Sequence, residues 1–185
     1  MGTNPDPDAE LVLRIGRGDR AAAETLMRRH LPKLLTLARR MLAARAPAEA
    51  EDAVQEAFLR VWQHAGRWKP GKARFETWLY RVVLNQCYDR LRKKPMADLA
   101  AAEETPDPSP SPGAVLEAAE RASTVEAALA SLPERQRAAL VLCHFEENTN
   151  IVAAEAMGIS VEALESLLAR GRRSLRTMLS ALRDA

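Results

Sequence analysis

Only two cysteines, Cys87 and Cys143, occur in 185 residues. Both fall inside apolar helical patterns, and neither has a second thiol at metal-ligand spacing, so two buried reduced side chains are expected in place of a disulfide or a zinc site. No window approaches the roughly 20 uninterrupted apolar residues of a membrane span, and the opening MGTNPDPDAE lacks both the basic flank and the apolar stretch of a signal peptide. A cytoplasmic protein is expected. Aromatic residues make up 4% of the chain against 47% hydrophobic residues in all. That balance suits one or two modest cores of about 60–120 residues each, and neither a large enzyme fold nor a disordered tail.

Signs of catalysis are equally scarce. The histidines, His30, His64 and His144, are scattered, no glycine-rich phosphate loop is present, and no nucleophile sits beside a base at recognisable spacing. His144 adjoins Cys143, but neighbours on a helix project about 100° apart, which fits a core thiol beside a surface imidazole better than a ligand pair. Catalytic residues, cofactors and metals are therefore expected to be absent, and an enzyme is disfavoured.

What is present is charge in blocks. The whole chain has a formal net charge of +2, yet residues 11–95 hold 19 Lys and Arg against 8 Asp and Glu, a net of +11. Residues 96–132 hold one Arg and 7 acids, and residues 133–185 hold 7 of each sign. A basic block of this size is the footprint of a polyanion-binding domain, although charge alone does not separate nucleic acid from a membrane or an acidic protein.

Alanine and leucine abound and nothing alternates with period two for long, so the fold class is all-α. Helices are predicted over about 8–17, then from an Asp19 cap to about Leu42 with a kink or restart at Pro32, then from Pro47 to about His64. The segment AGRWKPGKAR, residues 65–74, reads as a basic loop before a helix over about 75–94 that Pro95 stops. Residues 96–112 carry four prolines and several acids and read as a linker that would span roughly 50 Å in extended polyproline geometry. Two small helical domains follow from this, residues 1–95 and 113–185. The second should hold helices over about 113–131, 133–145, 149–157 and 160–182.

Three surfaces stand out. On the helix 47–64, Asp52, Gln55 and Glu56 lie beside Leu59 and Arg60 in one stripe; an acidic stripe on a basic domain suits a protein contact, and also suits a solvated helix start. In the helix 75–94, Thr77, Arg81, Asn85, Asp89 and Arg92 fall on one polar face, with Trp78, Tyr80 and Tyr88 among the charges. Aromatic rings interleaved with cations are what single-stranded nucleic acid requires, since bases stack on rings while cations hold the backbone; each ring taken singly also suits core packing. Near the C-terminus, Gly158 and Ser160 separate two helices as in a helix-turn-helix, with Arg170, Arg172, Arg173 and Arg176 gathered on the second. The same spacing also fits an ordinary αα-corner with a basic tail.

The segments AEAEDAVQEAFLRVWQHAGRW, FETWLYRVVLNQCYDRLRKK and SLPERQRAALVLCHFEENTN, followed by the terminal helix-turn-helix, resemble the extracytoplasmic-function (ECF) group of bacterial sigma factors, part of the sigma-70 family. The likeness runs from about residue 11 to 182. It implies two domains joined by a linker that threads toward the polymerase cleft, with core RNA polymerase, promoter DNA and an anti-sigma factor as partners. It assigns core binding to Asp52, Gln55, Glu56, Leu59 and Arg60. Recognition and opening of the minus-ten element, with capture of an unstacked base, fall on Arg67, Lys69, Lys72, Arg74, Trp78, Tyr80, Arg81, Asn85 and Arg92. The minus-thirty-five element would be read by the terminal helix, where Glu162 and Glu165 replace the usual basic residues and leave Ser166, Arg170, Arg172 and Arg173 as the contacts. Two other readings stay open: a stand-alone helix-turn-helix regulator, and a sigma mimic that sequesters an anti-sigma protein.

Overall fold

The computed structural model describes residues 6–43, 45, 47–69, 74–93 and 124–183. Among them the regular structure is helical throughout, as the composition predicts. Four helices make the first module: α1 (Ala9–Ile15), α2 (Arg20–Met41), α3 (Pro47–His64) and α4 (Phe75–Arg92), with a 3-10 turn at Ala65–Arg67 after α3. The second contains α5 (124–130), α6 (Glu134–Leu140), a π-turn at Val141–Phe145, α7 (Asn150–Met157) and α8 (Val161–Arg183). The expected linker 96–112 and the first part of the helix expected over 113–131 lie outside the described residues.

Local chemistry accounts for three helix starts. The Asp19 carboxylate accepts from Ala22 N at 3.1 Å and caps α2; Thr149 and Ser160 do the same for α7 and α8, accepting from Val152 N and Ala163 N. Along α2 the buried positions Leu26, His30, Leu34, Leu37, Ala38 and Met41 repeat every three or four residues, and each large apolar side chain there contributes about 2 kcal/mol by leaving water. This stripe explains why the break expected at Pro32 does not occur. Pro32 is exposed and lies inside α2, so the Arg28 carbonyl that loses its helical donor turns to water, not to a dry interior.

The first module closes as α2 packs on α3, α3 on α4, and α1 on α2. Its N-terminal segment is pinned by acids. Asp8 is buried; His30 Nε2 donates to its Oδ2 at 2.8 Å, and Arg29 Nη1 pairs with its Oδ1. Asp6 Oδ2 accepts from Phe75 N at 2.6 Å, at the start of α4. At the other end of α4, Arg45 Nη2 donates to the carbonyls of Arg90 at 3.0 Å and Lys93 at 2.5 Å, closing the negative end of the helix with a cation.

Burial pushes the Asp8 carboxyl up, but hydrogen bonds and charge from His30 and Arg29 outweigh it and hold the group below its ordinary 3.8. A depressed folded value contributes stability that is fully present above the ordinary value and lost as pH falls through the folded one. Asp8→Asn should therefore cost about 3 kcal/mol near neutrality and flatten the loss of stability below about pH 4. Urea titrations of both proteins between those limits check this, and parallel curves would show that the pair carries no acid-side linkage.

Candidate functional site

The buried side of α3 is Ala50, Ala53, Val54, Ala57, Phe58 and Val61. Its opposite side exposes Asp52, Gln55, Glu56, Leu59 and Arg60, as the spacing predicts. Glu56 is partly occupied, because its Oε1 accepts from Arg90 Nη2 of α4 at 3.0 Å. Leu59 is 42% exposed and Trp62 38%, and Trp62 stacks on Phe58 with centroids 6.3 Å apart. Trp62 was not singled out from the sequence. Its signal was available, since it lies three residues beyond Leu59 on the outward stripe.

At the end of α3 the chain tightens into the 3-10 turn, which lies against the C-terminus of α1. A Cβ on Gly16 would stand 2.9 Å from Gly66 Cα, so the absence of a side chain at Gly16 permits this backbone contact. Arg67, Lys69 and Arg74 are exposed; Lys72 lies outside the described residues. Phe75 meets Trp68 edge-on at 5.9 Å and Trp78 at a tilt at 5.5 Å. Together with Val12, Val61, His64, Ala65 and Arg67 these rings line a cleft of about 200 Å³. A half-buried aromatic surface edged by Arg67 thus forms from Trp68, Phe75 and Trp78, of which the sequence singled out only Trp78.

Two α4 residues depart from expectation. Tyr80 is 1% exposed; its hydroxyl donates to Glu76 Oε1 at 3.5 Å, and burial raises its pKa. It offers no face for stacking. Thr77 is likewise buried and leaves the polar stripe. Both turn inward because α4 is covered on two sides, by α2 and α3 and also by α7, so its apolar sector is wider than a single stripe. Arg81, Asn85 and Arg92 remain exposed. Arg92 pairs with Asp89 at 2.5 Å, and Arg81 donates to the Glu155 carbonyl of α7.

In the second module, Gly158 takes φ +66°, ψ +38° and ends α7, the left-handed turn expected of it. Leu164 and Leu168 of α8 are buried, while Ser166, Arg170, Arg172 and Arg173 are exposed. Arg172 donates to His144 Nε2 from Nε at 3.2 Å and from Nη2 at 3.0 Å. Hydrogen bonds from its own backbone N–H and from Ser160 hold the exposed Glu162 carboxyl below its ordinary value. Glu162 thus serves the start of α8, where an acid is favoured by the helix dipole. Glu165 accepts from Asn150 Nδ2 at 3.4 Å.

The modules meet through a residue that periodicity did not distinguish. Arg137 is 4% exposed and donates to the carbonyls of Leu129 at 2.9 Å, Leu132 at 3.2 Å and Ala130. Its Nη1 donates at 2.5 Å to the Met41 carbonyl at the end of α2. Nearby, the Arg40 guanidinium lies 4.0 Å over the Phe145 ring. No group of three His, Cys, Asp or Glu side chains is placed to hold a metal, and no helix is long and apolar enough to cross a membrane, among the described residues.

Residues 26–95 match the family model for sigma-70 region 2, and residues 123–175 match that for sigma-70, region 4. The ECF RNA polymerase sigma factor SigM of Mycobacterium tuberculosis is 34% identical over 181 residues, which cover 98% of this chain and 89% of that protein. The ECF RNA polymerase sigma factor SigW of Bacillus subtilis is 29% identical over 182 residues, covering 92% and 96%. Among solved structures, CnrH in complex with the cytosolic domain of CnrY is similar with a TM-score of 0.71 at 25% identity, covering 94% of this chain and 97% of that one. The sigma factor RpoE in complex with the anti-sigma factor NepR, from Bartonella quintana, shares the fold with a TM-score of 0.65 at 22% identity, over 85% and 96%.

Arg137→Met should cost about 3 kcal/mol, because it strands buried carbonyls at two helix ends. Arg81→Ala, which removes one exposed hydrogen bond, should change stability by less than about 1 kcal/mol. Thermal unfolding of the two variants checks the contrast, and equal losses would remove Arg137 from its joining role.

Proposed function

The chain belongs to the extracytoplasmic-function RNA polymerase sigma factors, and on that premise we propose how its surfaces divide the work of starting transcription at chosen promoters. The sigma factor binds core RNA polymerase and directs promoter-specific initiation. The exposed face of α3 is the polymerase contact: Asp52, Gln55, Glu56, Leu59 and Arg60, joined by Trp62. An apolar pair, Leu59 and Trp62, within a polar rim has the make-up of an interface centre.

Promoter opening falls to the aromatic cleft and the cations around it. Arg67, Lys69, Lys72 and Arg74 hold phosphates, Trp68 and Trp78 receive an unstacked base, and Arg81, Asn85 and Arg92 follow the strand along α4. Stacking on an aromatic ring contributes about 1–3 kcal/mol per base, which offsets an unstacking cost of a few kcal/mol without hydrolysis of a nucleotide. The observation that carries this reading is the juxtaposition of Trp68, Phe75 and Trp78 with exposed Arg67 on the most basic part of the chain. Tyr80 is withdrawn from the set. The α8 residues Ser166, Arg170, Arg172 and Arg173 contact the minus-thirty-five duplex, whose phosphates position the helix while base edges specify it.

The domain division is residues 1–95 for core binding and opening, 96–112 as connector, and 113–185 for upstream recognition. The protein works beside the polymerase in the cytoplasm by binding, not by catalysing a reaction of its own. An anti-sigma factor is its regulatory partner, a reading supported by the bound states of CnrH and RpoE.

Two measurements test this. Mixed with core polymerase and a promoter library, the purified protein should yield transcripts from a restricted promoter set; core binding with no promoter-specific transcript would favour a mimic. Arg81→Ala with Arg92→Ala should slow promoter opening about tenfold and leave core affinity within about twofold, whereas Asp52→Lys with Leu59→Ala should do the reverse. Parallel loss of both activities in either pair would end the proposed division.

A further inference from the structure

The helix that begins the opening site is capped from the far end of the module. Arg74 occupies the N-cap position of α4 and makes no side-chain cap hydrogen bond. The first amide, Phe75 N, donates instead to Asp6 Oδ2 at 2.6 Å, from 69 residues away. The other oxygen, Asp6 Oδ1, accepts from Asp8 N at 3.0 Å. Asp8 is then held by His30 and Arg29 of α2, and Arg29 Nη1 also donates to the Pro7 carbonyl at 3.4 Å. The two acids of one short segment therefore do different things. Asp8 anchors the segment to the core, and Asp6 projects from that anchor to α4.

Phe75, whose amide is gripped, is also the ring against which the cleft is built. His30 meets it edge-on at 6.3 Å and Trp68 edge-on at 5.9 Å, while Trp78 lies tilted against it at 5.5 Å. A carboxylate at an N-terminus both satisfies an orphan donor and complements the helix dipole. It thereby sets where the first turn of α4 sits and where Trp78, one turn on, presents its face. A cap within the basic loop would have put an acid among the groups that hold phosphate. With the cap drawn from Asp6, the Arg74 side chain stays exposed and outside every ion pair among the described residues.

We infer that Asp6 is a positioning residue of the promoter-opening site: held by the Asp8 anchor, it fixes the first turn of α4 so that Trp68 and Trp78 form the cleft before DNA arrives. The inference rests on the reading that this cleft receives an unstacked base.

The test uses the full chain, alone and bound to core polymerase, with the strongest promoter recovered from the library. Affinity for a single-stranded oligonucleotide of its downstream element, the rate of duplex opening followed by 2-aminopurine fluorescence, core affinity and unfolding temperature are measured for native protein, Asp6→Ala, Asp6→Asn and Trp78→Ala. Asp6→Ala should lose roughly fivefold or more in oligonucleotide affinity and opening rate, with core affinity within about twofold. Asp6→Asn, which keeps an acceptor oxygen, should recover most of the loss, and it supplies the measurement if Asp6→Ala does not fold. The inference is overturned if Trp78→Ala weakens oligonucleotide binding while Asp6→Ala leaves it unchanged. It is overturned equally if Asp6→Ala loses core affinity in proportion, as a general folding defect would. If neither variant affects the oligonucleotide, the cleft reading itself fails.

Discussion

A buried guanidinium hydrogen-bonded to backbone carbonyls fixes the rest of the molecule. Arg137 is almost wholly removed from water, and its hydrogen-bond partners are backbone carbonyls: Leu129, Ala130 and Leu132 around the end of α5, and Met41 at the end of α2. Burying an unpaired cation is costly, and the arrangement is tolerable because both acceptor sets sit at the negative ends of helices. The geometry then propagates. With α5 and α2 held to one side chain, α6 and the π-turn lie along α2, and α7 comes to rest on α4. The hydrophobic core runs without a break through both modules.

How much of this the sequence disclosed depended on the distance over which the information acts. Asp19, Gly158 and Ser160 end or begin helices through contacts within a few residues, and each was legible. The outward stripe on α3 followed from periodicity alone. By contrast, Asp6 reaches Phe75, Arg45 reaches Arg90, and Arg137 reaches Met41, across 69, 45 and 96 positions respectively. No spacing rule encodes such pairs. Tyr80 failed for a related reason, since a helix face was assigned as though one partner surface covered α4 when two do. At Pro32 a sound local rule lost to tertiary context, because the missing donor falls on a wet face.

The +11 block also takes on a finer meaning. Arg14, Arg29, Arg39, Arg90 and Arg92 are each committed to an acid within the module, and Arg45 to helix-end carbonyls. Arg67, Lys69 and Arg74 stand outside every ion pair among the described residues. Of these three, Arg67 lines the aromatic cleft itself. The acids of α8 follow the same logic. Glu162 and Glu165 interact with Ser160 and Asn150, so neither needs a partner protein to account for it.

The Arg81 contact with the Glu155 carbonyl has a kinetic consequence. A side chain assigned to DNA already has a ligand, and that ligand is part of the same chain. Diluting the protein or making more of it leaves this competition unchanged. A DNA strand that follows α4 therefore meets a fixed cost at Arg81, the release of one exposed hydrogen bond, whatever the concentration of the protein.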